Sequence, residues 1–305
     1  MFRSILVPLD GSPLAEHALP FALSIAAKTG ATVHVALVHV PDAYGEYAPP
    51  HSNDLDLEAK AREQAYLNAL RGRLASAFKG AVQVHHLEGI VQETLVEEIT
   101  ERKVDLVVMN AHGWGYTSRA LLGSVSDYLM RHLDIPLLLM HSEVPMTELN
   151  RPISFRRILV PLDGSDLAET VLGPAQMLGE LWKAEFRLVR AVSPPHHYLG
   201  SIGEDPHGPH QGIVDKTMHR LGGELEKVAL EMRRKSPVVE THVRVNRKVA
   251  AAILDEATTA GCDLIAISTH ARGGLPRLLL GSVADKVVRG AHTPVLVYHP
   301  PQYGH

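Results

Sequence analysis

Short, wholly apolar runs alternate along the chain with longer segments whose apolar positions return every three or four residues. An apolar run without polar alternation reads as a strand covered on both faces, and the longer periodic segments read as helices. In the first half the pattern predicts strands over 4–9, 31–40, 82–87, 104–110 and 135–140. Helices are predicted from Ser12 to Gly30, over 57–78, over 92–102 and from Ser124 to His132. Ser12 is expected as the N-cap of the first helix, with Pro13 at its first position. Prolines and polar residues mark 41–56 as a loop. The second half repeats this order, with strands near 157–162, 184–192, 239–245, 262–268 and 294–299. Its helices are expected to begin near Ser165, Gly212, Lys248 and Ser282.

Strands that alternate with helices call for a parallel sheet covered on both sides, and right-handed crossovers restrict it to a doubly wound form. The expected fold class is α/β: two tandem Rossmann-like domains, each a five-stranded parallel sheet in the order 3-2-1-4-5 flanked by helices. Residues 142–156, with two prolines and mixed charge, read as the linker, which puts the domains at 1–145 and 155–300. In such a sheet, ligands bind beyond the carboxyl ends of the strands where the winding reverses, here between the first and fourth strands.

The chain also repeats itself in detail. Ile5-Leu6-Val7-Pro8-Leu9-Asp10-Gly11-Ser12 returns unchanged as Ile158-Leu159-Val160-Pro161-Leu162-Asp163-Gly164-Ser165. Leu121-Leu122-Gly123-Ser124-Val125-Ser126-Asp127 returns as Leu279-Leu280-Gly281-Ser282-Val283-Ala284-Asp285. Two blocks in one order at nearly one spacing mean an internal duplication, which fits 305 residues at roughly 150 per domain.

Composition narrows the function. A net charge of −4 without an extended basic run argues against a general nucleic-acid surface, and 5% aromatics are too sparse for a base-stacking platform. Cys262 is the only cysteine, which suits a reducing compartment. The start offers no signal peptide, and no apolar run approaches the roughly 20 residues of a bilayer span. A soluble cytoplasmic protein, without nucleic-acid or membrane partners, is the expectation.

The chemistry gathers at the ends of the first and fourth strands. Gly123-Ser124-Val125-Ser126 and Gly281-Ser282-Val283-Ala284 each open a helix, presenting backbone N–H groups and the positive end of its dipole. Phosphate oxygens suit such a place, and glycine lets them approach the backbone. Read alone, a Gly-Ser before a helix is most often just a capped turn. Asp10 and Asp163 carry the wrong charge for phosphate. A carboxylate there can accept from a ribose hydroxyl or an adenine amino group, or it can simply shape an Asx turn.

The stretch Asn110-Ala111-His112-Gly113, nine residues, then Gly123-Ser124 resembles the universal stress protein family, whose nucleotide motif is Gly-x2-Gly-x9-Gly-Ser/Thr after the fourth strand. The Val-Pro-Leu-Asp-Gly-Ser opening, the Leu-Leu-Gly-Ser-Val segment and the closing Pro-Leu-Leu-Leu strand match as well. The resemblance covers nearly the whole chain, as two fused domains. It implies ATP or another adenine nucleotide as ligand, with or without Mg²⁺, and a stress-responsive sensor or regulator. It carries ligand contact in the first domain onto Pro8, Leu9, Asp10, Val40, Met109, Asn110, Gly113, Gly123, Ser124, Val125 and Ser126. In the second it points to Pro161, Leu162, Asp163, Val192, Ile267, Ser268, Ala271, Gly281, Ser282, Val283 and Ala284. Relatives pair through their last strands, which implies that the two halves dock on each other and that two chains form a homodimer.

The departures are informative. The motif's first glycine is Asn110 here and Ser268 in the copy; its second is Gly113 and then Ala271. If that second position needs positive φ, alanine costs about 1 kcal/mol and adds a methyl where phosphate passes. The first site is therefore expected to bind better. Arg119 and Arg277 occupy matching positions and could reach phosphates, or stay solvated. A slow ATPase is the alternative, but Asp10 and His112 are the only local candidates for assisting roles, in no recognised hydrolytic constellation. An interaction module with nucleotide binding lost in one or both domains is the third reading. His196, His197, Asp205, His207 and His210 have metal-ligand chemistry, although a His-rich loop is usually only a loop, and no metal site is assigned.

Overall fold

The computed structural model describes residues 1–41, 52–111, 122–141, 148–194, 211–269 and 281–300. The chain divides into two compact units, Met1–Ser154 and Phe155–His305.

In the first unit the strands are β1 (Ser4–Leu9), β2 (Thr32–His39), β3 (Val82–Glu88), β4 (Leu106–Asn110) and β5 (Leu137–Met140). All pairings are parallel: β1 with β2 and β4, β2 with β3, and β4 with β5. The order within the unit is therefore 3-2-1-4-5, as expected. β1, β4 and β5 are buried along their whole length. The helices are α1 (Leu19–Thr29), α2 (Ser52–Ala77), α3 (Val91–Glu101) and α4 (Ser124–His132).

The first helix does not run from Ser12. A 3₁₀ turn, Ala15–Ala18, comes first, and α1 starts at Leu19 with Pro20 in its opening turn. Pro20 has no N–H to give to the carbonyl of Glu16, so a continuous helix from Ser12 would break there. The Ser12 hydroxyl still accepts from the Ala15 N–H at 3.0 Å, capping the 3₁₀ turn instead. α1 closes at Gly30, whose φ of +74 ends the helix in the left-handed region.

The second unit contains β6 (Arg157–Pro161), α5 (Asp166–Glu169), α6 (Leu172–Glu180), β7 (Glu185–Val192), α7 (Gln211–Met232), β8 (Val239–Val245), α8 (Val249–Thr259), β9 (Leu264–Ser268), α9 (Ser282–Gly290) and β10 (Val295–Tyr298). Its pairings repeat the first unit's: β6 with β7 and β9, β7 with β8, and β9 with β10, all parallel. The helix expected at Ser165 is split into α5 and α6, with Pro174 in the first turn of α6 as Pro20 is in α1. Gly179 lets α6 lie close to the sheet: a Cβ there would sit 2.6 Å from Phe186 and 3.1 Å from Ile158.

Cys262, just before β9, is buried, and that burial pushes its thiol up to about 11. Among the described residues, no helix is long and apolar enough to cross a membrane.

The long helix α2 carries charge on most of its surface, and Leu67, Leu70 and Leu74 bury its inner face completely or nearly so. Truncating Leu70 leaves a void that the sheet cannot fill. Leu70→Ala is expected to lower the unfolding free energy by about 2–5 kcal/mol in urea titrations of the full chain.

Candidate functional site

β1 and β4 are neighbours whose chains leave in opposite directions, to β2 on one side and β5 on the other. Their carboxyl ends, Leu9-Asp10 and Asn110-Ala111, therefore flank a crevice that no strand fills.

The corner after β1 is held by its own side chains. Asp10 accepts from the Ser12 N–H at 2.9 Å, and Gly11 takes φ +78, where a non-glycine residue would be strained. The copy does the same: Asp163 accepts from the Ser165 N–H and hydroxyl at 3.0 and 2.6 Å, around Gly164 at φ +80. Both aspartates thus build Asx turns, and Asp10 is an exposed residue. The neighbouring Glu16 is buried, accepts from Tyr66 and Arg73, and so draws α2 alongside the corner. Burial, followed by the Glu16 charge, raises the Tyr66 hydroxyl far above its ordinary value.

Across the crevice, the chain returns to the end of β4 at Gly123. The Gly123 N–H donates to the Ala111 carbonyl at 2.8 Å. The Ser126 hydroxyl, 1% exposed, lies within 2.9 Å of both the Ala111 and Gly123 carbonyls. Ser126 therefore sits beneath the helix start and ties it to the strand, whereas Ser124 is exposed at the mouth. The N-cap of α4 is Gly123 itself, so the cap residue offers no side chain to the N–H groups of the first turn. α9 starts in the same way at Gly281, again with no side-chain cap and with Ser282 exposed.

The remaining expected contact residues lie at different depths. Pro8, Leu9 and Met109 are buried in β1 and β4, as Pro161, Leu162 and Ile267 are at β6 and β9. Asn110 is buried and donates to the Leu14 carbonyl at 3.2 Å, whereas Ser268 meets Thr170 at 3.4 Å. Val40 is 48% exposed just beyond β2, and Val192 is half-buried at the end of β7. Val125 and Val283 are half-buried, and Ala284 is buried where the first unit has Ser126. Gly113 and Ala271, together with His112, Arg119, Arg277 and the histidine-rich 196–210 stretch, lie outside the described residues.

One difference between the copies was not visible in the motif. In the first unit, the nearest side-chain atom to a Cβ built on Gly11 is Leu37 Cδ1, 4.0 Å away. The matching residue in β7 is Arg190, and its guanidinium lies so close to Gly164 that a Cβ there would collide with it. Counting outward from paired positions in the two sheets (Pro8 with Ala36, Pro161 with Val189) would have matched Leu37 to Arg190.

The sequence profile of the universal stress protein family matches residues 1–141 and 154–299. The chain is 27% identical over 302 residues to a universal stress protein of Mycolicibacterium smegmatis, covering 97% of each. It is 27% identical over 305 residues to a universal stress protein of Mycobacterium tuberculosis, covering 97% of this chain and 96% of that one. Among solved structures, a universal stress protein from Archaeoglobus fulgidus superposes with a TM-score of 0.64 at 20% identity, over 98% of both chains. A putative universal stress protein from Pseudomonas aeruginosa gives 0.65 at 19% identity, over 98% of this chain and 94% of that one.

The Ser126 hydroxyl is the one side-chain tie between the start of α4 and the end of β4 described above, and Ala284 shows that the fold forms without it. Ser126→Ala is expected to cost about 1 kcal/mol, the ordinary net worth of one such bond, in chemical denaturation of the full chain.

Proposed function

The chain belongs to the universal stress protein family, as two of its domains in tandem, and we propose that it binds ATP or a related adenine nucleotide as a stress-responsive sensor or regulator. The observation that carries this reading is the start of α4 at a glycine cap, Gly123, tied to the carboxyl end of β4 and followed by the exposed Ser124. First-turn N–H groups and the helix dipole favour phosphate oxygens without a lysine. Asp10 stands on the opposite side, where a carboxylate suits a ribose or adenine donor. The same arrangement recurs at Gly281 and Asp163.

The two crevices are not equivalent. The Arg190 guanidinium crowds the Gly164 corner, where the first unit has only Leu37. Together with Ala271 in the motif, this supports one well-occupied site per chain, in the first unit. Binding rather than turnover is the proposal, since Asp10 is engaged with the Ser12 N–H and belongs to no proton-transfer constellation among the described residues.

Equilibrium binding of labelled ATP is expected in the micromolar range, falling at least tenfold in Gly123→Val. Gly123 has φ −62 and ψ 148, which valine adopts without strain, so the variant is expected to fold. Mass spectrometry of the small molecules released on denaturation should give one adenine nucleotide per chain. No binding at millimolar nucleotide would remove the proposal. Arg190→Leu, which restores the first unit's residue type, should raise the stoichiometry toward two; an unchanged value would show that Arg190 is not what separates the sites.

A further inference from the structure

On the outer strands of the first unit, three side chains from three elements converge on one point. His39 ends β2, His86 lies in β3 and Glu63 lies in α2. His39 Nδ1 is 2.9 Å from Glu63 Oε2, and His86 Nε2 is 2.8 Å from that same oxygen. All three atoms lie within 4.8 Å of one another. The other nitrogen of His39, Nε2, lies 2.8 Å from Asp56 Oδ1. Asp56 is in turn held by Lys60 at 3.4 Å, and Lys60 also reaches Glu88 at 3.1 Å.

We propose that His39 Nδ1, His86 Nε2 and Glu63 Oε2 form a site for a divalent transition metal of the zinc class, with Asp56 as the outer carboxylate that orients His39. With an ion in place, His39 Nδ1 would give up its hydrogen and turn its lone pair to the metal, while Nε2 keeps its hydrogen and donates to Asp56. This is the carboxylate–histidine arrangement that fixes ring orientation and tautomer at metal centres. Bonds of about 2.0–2.2 Å in a tetrahedron place ligand atoms about 3.3 Å apart, so the observed spacings need only small rotations. Two imidazoles select zinc-like ions over magnesium or calcium. His39 is 3% exposed and anchors the site, while the side chains of Glu63 and His86 reach solvent and leave the fourth position to water.

The copy shows that the fold does not need these histidines. Strand register matches His39 to Val192 and His86 to Val243, and the second sheet is built on the valines. Among the described residues, the cluster belongs to the first unit alone. Its ion would fasten α2 to the β2–β3 edge, immediately before Val40 at the mouth of the crevice. The site stands whether or not that crevice takes a nucleotide.

The test uses the full chain carrying glutamine at 196, 197, 207 and 210, which removes the other histidine-rich segment. Zn²⁺ is titrated against a chromophoric chelator, and Co²⁺ is followed by its visible bands. One equivalent is expected, with Co²⁺ bands of nitrogen and oxygen ligation, and both are lost in the double variant His39→Val, His86→Val. Asp56→Asn should keep the stoichiometry and weaken affinity about 10–100-fold. Equal Zn²⁺ binding in the parent and the double valine variant would overturn the proposal. So would the absence of Co²⁺ bands in the parent, a result that holds even if a variant fails to fold. Nucleotide binding measured in parallel distinguishes failure of this site from failure of the crevice.

Discussion

A parallel strand can be followed by its neighbour only after the chain has crossed back to the edge where it started. Each unit makes that crossing on one side of its first strand and then on the other. β1 and β4, like β6 and β9, are therefore hydrogen-bonded neighbours whose continuations part company. Where they part, backbone groups and helix starts face an opening rather than another strand. The corner glycines, the Asx turns and the glycine-capped helix starts answer that geometry by turning the chain sharply at the opening.

Duplication then lets one half act as a control on the other. The shared parts are the ones the topology demands: the Asp-Gly-Ser corner, the Gly-Ser helix start and the proline in the opening turn of α1 and of α6. The divergent parts sit where the topology makes no demand. Ser126 becomes Ala284, and the hydroxyl tie beneath the helix disappears. His34 and His85 stack on one face of the first sheet, with Glu98 behind His85; the matching positions in the copy are Arg187 and His242 around Glu256. Glu98 and Glu256 are both buried, Glu98 paired with Arg102 and Glu256 with Arg187 and Arg244. A buried carboxylate must be paired, but several side chains can pair with it.

The architecture was legible because it rests on local patterns. Apolar strands, helix periodicity and two repeated blocks give the fold class and the duplication without any distant contact, whereas the strand order is fixed by the observed pairings. The first helix was misread because its start was taken from Ser12-Pro13, while Pro20 lay inside the predicted element and should have moved it. The crevice was legible from Gly123-Ser124 and Asp10, since the chemistry there is mostly backbone. Arg190, His39 and His86 were not singled out. Their meaning depends on strand register and on partners many residues away, Glu63 above all, and no motif spacing encodes that. Burial alone would depress the basicity of His39, yet the flanking Asp56 and Glu63 carboxylates reverse it. That reversal follows from three-dimensional placement and not from sequence neighbours.

Cys262 gives the chain its single sulfhydryl, and the fold keeps it out of water and in its protonated form. Oxidants attack thiolates, and a sulfenic acid needs a second sulfur nearby to resolve into a disulfide. This residue has neither the ionised form nor a partner within the chain. Peroxide therefore meets at Cys262 neither a ready thiolate nor a second cysteine of the chain to close a disulfide with, which makes this position slow to oxidise.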